Sequence, residues 1–163
     1  MTPYSRQYLF PKDIKEVVKV LKSKYLTQGP QIEKFEKKLS KKTKSKYAVV
    51  TNSATSALHL ACLALGLKKN DYLWTVPITF IASANCGVYC GAKIDLVDIN
   101  KDTFNIDIKV LEQKLQQAKK KNKLPKILIP VHLGGNPCDL EKINSLAKKY
   151  KFKVIEDASH AFG

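Results

Sequence analysis

Apolar residues recur along this chain with two distinct periods. In residues 11–25, Ile14, Val17, Val18, Leu21 and Tyr25 fall three or four positions apart with lysines between them. That spacing predicts an amphipathic helix opened by a proline in its first turn. Gly29 and Pro30 then turn the chain and begin a second helix, with Ile32, Phe35 and Leu39 on a narrower stripe. From residue 47 onward, short β-branched runs alternate with helical patterns. Residues 47–50, 71–77, 93–98, 126–131 and 153–156 read as strands. Helical patterns follow the first two strands, and others cover residues 107–120 and 140–150. The expected fold is α/β, with three α/β/α layers around a mainly parallel sheet and right-handed crossovers. The pattern separates an N-terminal helical segment, 1–45, from an α/β region, 46–163.

Ligands of such sheets bind at the carboxyl ends of the strands. That rule gathers NSATS (52–56), PITF (77–80), HLGG (132–135) and EDASH (156–160) on one rim. The first of these is a tight loop of small polar residues leading into an Ala- and Leu-rich helix. Hydroxyls on Thr51, Ser53, Thr55 and Ser56 beside the first amides of a helix make a place for a phosphate, whose charge the helix dipole favours. The same residues equally suit plain N-capping by Ser53 or Thr55. On the last segment, Glu156 and Asp157 would bind a metal, act as acid and base, or hold a protonated ring nitrogen, while Asp157 would also serve as a helix cap. Taken singly, His160 and Phe80 read as well as packing residues as they do as site residues.

Composition narrows the field further. The 163 residues carry 44% hydrophobic and 26% charged side chains, enough for a buried core and unlike a disordered chain. The formal net charge of +15 comes from lysine almost alone, Arg6 being the single arginine. Specific nucleic-acid readers use arginine forks and exposed aromatics, so the excess predicts only salt-sensitive, nonspecific polyanion affinity. Cys62, Cys86, Cys90 and Cys138 form no CxxC pair and no metal spacing, and are expected to be reduced thiols in a cytoplasmic protein. The N-terminus lacks a signal-peptide pattern, and the longest apolar stretch is too short to span a bilayer.

Six ordered segments together resemble one family. LTQGPQIEKFE, NSATSALHLACLALGL, VPITFIASAN, GAKIDLVDIN with DTFNID, IPVHLGGNPCDL and VIEDASHAFG are similar to the DegT/DnrJ/EryC1/StrS pyridoxal-phosphate (PLP) sugar aminotransferases. The resemblance implies part of the large domain of a fold-type I PLP transferase. It implies PLP as cofactor, with Thr55 and the Ser56 amide on its phosphate and Phe80 stacked on its ring. Asp157 would meet the ring nitrogen, His160 would lie near the 3-hydroxyl, and Gly29 would line the substrate mouth. The implied reaction moves an amino group, with glutamate as donor, to the 4-keto carbon of a nucleotide-linked 4-keto-6-deoxy sugar. LTQGP and NSATSAL lean toward the branch serving pseudaminic acid synthesis, and the family implies a homodimer.

In that family the Schiff-base lysine follows the EDASHAFG segment, and none of the lysines here occupies the matching place. No catalytic lysine is therefore assigned, and the chain by itself is expected to be inactive as a truncated N-terminal portion. A related dehydratase and a noncatalytic phosphate-binding module remain as alternatives. The family sheet further implies that strands at 71–77, 93–98, 126–131 and 153–156 adjoin one another. The run 47–50 would be left without ladder partners and the chain marginally stable.

Overall fold

The structure, a computed structural model, describes residues 7–162 and divides into two compact units after Val50. The first unit contains α1 (Pro11–Leu21) and α2 (Pro30–Thr43), with Pro at the first turn of each and Gly29 as the N-cap of α2. α1 ends four residues before the expected Tyr25, where Ser23 Oγ and the Tyr25 backbone bond each other and close a turn. Neither helix buries a residue. The expected strand over 47–50 does not form: these residues belong to no ladder, and Tyr47 and Val49 are exposed. A β-branched run makes a strand only where a neighbour takes its N–H and C=O groups. Here the Val50 amide instead donates to the Glu36 carboxylate at 2.9 Å, tying residues up to 50 to α2. The division thus falls beyond the 45/46 boundary drawn from the hydrophobic pattern.

The second unit is an α/β sandwich. Its elements are α3 (Ala54–Ala64), β1 (Tyr72–Thr75), α4 (Ala82–Tyr89), β2 (Lys93–Leu96), α5 (Ile108–Lys120), β3 (Ile127–Leu128), α6 (Leu140–Tyr150) and β4 (Lys153–Val154). The four strands pair in the order β2-β1-β3-β4, all parallel, as expected for the four runs that adjoin. Alternation along the strands feeds two cores. Leu73, Ile127 and Ile129 pack with Leu58, Cys62 and Cys86 of α3 and α4. Trp74 and Leu128 pack with Leu111, Leu115, Ile143 and Leu146 of α5 and α6. Trp74, the only tryptophan, lies beneath the Lys114 ammonium at 5.2 Å from its ring centre, and its buried indole N–H has no acceptor among the described residues. Where α3 meets α4, a hydrogen bond with Cys86, followed by burial, holds the Cys62 thiol above the usual thiol range.

The helix ends follow from side chains in the sequence. Asp107 accepts the amides of Lys109 and Val110 at 2.7 and 3.1 Å and so caps α5, while Asp139 caps α6 through Lys142. α4 lies so close to the sheet that a Cβ on Gly87 would stand 2.6 Å from Ile94 Cδ1. The strands are shorter than the apolar runs. β3 and β4 stop at Leu128 and Val154, yet Ile155 N–H reaches Leu128 O at 3.0 Å and Asp157 N–H reaches Pro130 O at 3.0 Å. A last bridge joins Val131 to Asp157. Pro130 has no N–H to give, which breaks the ladder without parting the chains.

Candidate functional site

At the carboxyl end of the sheet, four segments enclose a cavity of about 380 Å³. α3 contributes Ala54, Thr55 and Leu58; the β1–α4 connection contributes Thr79 and Phe80; the end of β3 contributes His132; and the segment after β4 contributes Asp157, Ser159 and His160. A larger cleft beside α5 shares none of these residues, and across it Lys114 is paired with Asp95 at 2.7 Å. Among the described residues no His, Cys, Asp and Glu group suits a metal ion, and no helix is long and apolar enough to cross a membrane.

The α3 end is built by its cap. Ser53, in extended conformation, accepts the Ser56 amide on its Oγ at 3.1 Å and sets the helix start at Ala54. Of the amides that a helix start leaves unpaired, this bond uses one, and those of Ala54 and Thr55 remain. Both residues line the cavity. Ser56 does not: its amide and its hydroxyl are turned to Ser53 Oγ.

At the opposite wall, Asp157 is 7% exposed and its carboxylate is held on both oxygens. Ser83 Oγ donates to Oδ2 at 2.8 Å, and Ser159 donates to Oδ1 through its amide at 3.2 Å and its hydroxyl at 2.7 Å. An ionised carboxylate only accepts, so Ser83 must give its proton to Asp157 and receive one from Thr79, whose Oγ1 lies 2.8 Å away. A carboxylate offers about four acceptor positions. Three are taken by these donors, which leaves one. The Ser159 bonds are those of a turn.

Phe80 stands at the cavity with 72% of its surface exposed. His160 is exposed on the same wall. Gly29 belongs to the other unit, where it lines a separate hollow with Gln28, Glu33 and Glu36. Thr55, Phe80, Asp157 and His160 therefore share one cavity. Sequence reasoning passed over Ser83, Thr79 and His132. Thr79 and His132 were signalled by their place at strand ends, whereas Ser83 is an ordinary small residue until the fold brings it across 74 positions to Asp157.

These residues fit a pyridoxal group. A buried carboxylate with an unspent acceptor position suits a protonated ring nitrogen, a bare helix start suits a phosphate, and an exposed aromatic beside both suits a heterocycle. No lysine is among the residues that line the cavity.

The profile of the DegT/DnrJ/EryC1/StrS aminotransferase family matches residues 8–163. The chain is 44% identical over 163 residues to the UDP-4-amino-4,6-dideoxy-N-acetyl-beta-L-altrosamine transaminase of Campylobacter jejuni, covering all of this chain and 42% of that protein. It is 37% identical over 159 residues to the spore coat polysaccharide biosynthesis protein SpsC of Bacillus subtilis, covering 98% of this chain and 39% of the relative. Among solved structures, a putative sugar aminotransferase from Streptococcus pneumoniae in its PMP form superposes with a TM-score of 0.88 at 32% identity. That match covers 99% of this chain and 43% of the other. The chain thus spans about two fifths of the length of the curated relatives it matches.

Proposed function

Because the chain belongs to the DegT/DnrJ/EryC1/StrS aminotransferase family, we propose that it carries the cofactor-binding part of a PLP-dependent aminotransferase acting on a nucleotide-linked sugar. The observation that carries this reading is the sharing of one cavity by the α3 start and the Asp157 carboxylate. When bound, PLP supplies an electron sink for a carbanion formed on the substrate. The residues here would bind and orient it. The Ala54 and Thr55 amides and the Thr55 hydroxyl take the phosphate, where the helix dipole favours negative charge. Ser56 joins them if its N–H exchanges Ser53 Oγ for a phosphate oxygen. Asp157 accepts the ring N–H with its unused lone pair and so keeps a proton at that nitrogen. Phe80 covers one face of the ring and excludes water from it. His160 stands at the rim for the 3-hydroxyl, and Gly29 is assigned to the substrate mouth.

The acceptor we infer is the 4-keto carbon of a nucleotide-linked 4-keto-6-deoxy sugar, with glutamate as donor, in the synthesis of surface polysaccharide or nonulosonate. A homodimer fits the outer faces of α3 and α4, where Leu60 is 52% and Tyr89 57% exposed.

The test is a PLP titration followed by absorption and equilibrium dialysis. Saturable binding is expected for the unaltered chain. Asp157→Asn should weaken it at least about tenfold, since the variant loses a charge-assisted bond of roughly 1.5–3 kcal/mol. No saturable binding by the unaltered chain, or equal binding by the variant, refutes the reading.

A further inference from the structure

We propose that His132 is a positioning residue for Asp157, an inference that rests on the cofactor reading above. The carboxylate of Asp157 is held by Ser83 and Ser159, but its backbone is held by His132. The His132 amide donates to Asp157 O at 3.1 Å, directly after Asp157 N–H has bonded Pro130 O. This is the point where the ladder resumes past Pro130, so the height of Asp157 at the sheet edge is set by where residues 131 and 132 lie.

The ring of His132 fixes that place. It is 4% exposed and forms part of the cavity wall. Its Nδ1 accepts the Cys138 amide at 3.0 Å and must therefore present a lone pair. The proton of the neutral ring then sits on Nε2, which lies 3.3 Å from Glu156 Oε2 and donates to it. One imidazole thus spans three segments: the end of β3, the return of the 133–138 turn, and the residue before Asp157. The turn is made tight by Gly134 and Gly135, at φ 61° and 86°, and a Cβ on Gly135 would stand 2.9 Å from His160 O. Cys138 closes the loop by donating its thiol to Val131 O at 3.3 Å. Successive residues of an extended chain face opposite ways. Holding Glu156 by its carboxylate therefore also holds the orientation of its neighbour, with Asp157 buried and the Glu156 side chain 45% exposed.

The carboxylate needs its spare lone pair in line with the ring nitrogen, and a displacement of about 1 Å at such a contact is costly. His132→Ala removes both ring bonds and is expected to weaken PLP binding about tenfold or more, the usual effect of losing an orienting partner. It should also move the ¹⁵N resonance of the pyridine nitrogen in bound, labelled PLP, which reports the proton on that nitrogen. His132→Asn restores an acceptor for the Cys138 amide and should recover part of both. A His132→Ala protein with unaltered PLP affinity and pyridine ¹⁵N resonance overturns the inference, whatever its melting temperature. Should that variant not fold, ¹⁵N NMR of the imidazole in the unaltered, cofactor-free chain decides. A bare Nδ1 with protonated Nε2 supports the arrangement, and the opposite tautomer overturns it. Failure of the unaltered chain to bind PLP sinks the cofactor reading and this inference together, whereas normal binding with an indifferent His132→Ala sinks this inference alone.

Discussion

Asp71 shows how single side chains tie the sheet to its surroundings at the end away from the cavity. Its carboxylate takes the Lys126 ammonium at 2.8 Å and the Lys68 amide at 2.8 Å. The bond from Lys126 outweighs burial, and the carboxyl is held below its ordinary value. A carboxyl whose folded pKa is depressed adds stability above its unfolded pKa and loses it as pH falls through the folded value. The contribution should therefore be intact at neutral pH and decline as pH falls below about 4, the usual value for aspartate, toward the depressed folded value. The gap in melting temperature between the unaltered chain and Asp71→Asn should be full at pH 7 and narrow steadily as pH is lowered below about 4, and a constant gap would count against it. At this scale the sequence was partly legible. Asp157, Phe80 and Thr55 stood out by residue type at strand ends, but their partners did not. Ser83 and His132 matter through contacts across 74 and 24 positions, which no local spacing encodes.

Among the elements, α3 depends most on one residue. Its first turn carries no acidic side chain to offset the exposed amides, and the cap falls to Ser53 alone. Ser53→Ala should cost about 1 kcal/mol, and Ser53→Gly only a few tenths, both read from urea unfolding. No measurable loss in Ser53→Ala would mean that the Oγ bond contributes little. Helix patterns translated well: α5 and α6 begin and end within a residue of their expected limits because aspartates at 107 and 139 mark the starts. Strands translated less well. Apolar runs of four to seven residues became ladders of two to four, since a run records burial while a ladder needs a partner in register. Residues 47–50 are the extreme case, with the composition of a strand and no neighbour.

For the whole molecule, the two units differ in how they are held. α1 and α2 bury no residue, whereas the α/β unit encloses two cores. Local opening is least costly where few apolar contacts are lost. Limited trypsin digestion should therefore cut first among the lysines of residues 12–46 and leave a fragment beginning at Tyr47, identified by mass. Loss of both parts at one rate would contradict that order. The layer order and the parallel sheet were legible because the alternation of strand and helix patterns leaves few other arrangements. That residues 47–50 would find no ladder was expected from family likeness and not from the run itself.

Trp74 gives the sheet its own optical probe. With one indole in the chain, sealed between β1 and α5 at 1% exposure, all tryptophan emission originates at the heart of the sandwich. That light should be blue-shifted and indifferent to iodide or acrylamide while the sheet stands. A red shift would then register the parting of α5 from the strands, even when far-ultraviolet dichroism, dominated by the helices, has scarcely changed.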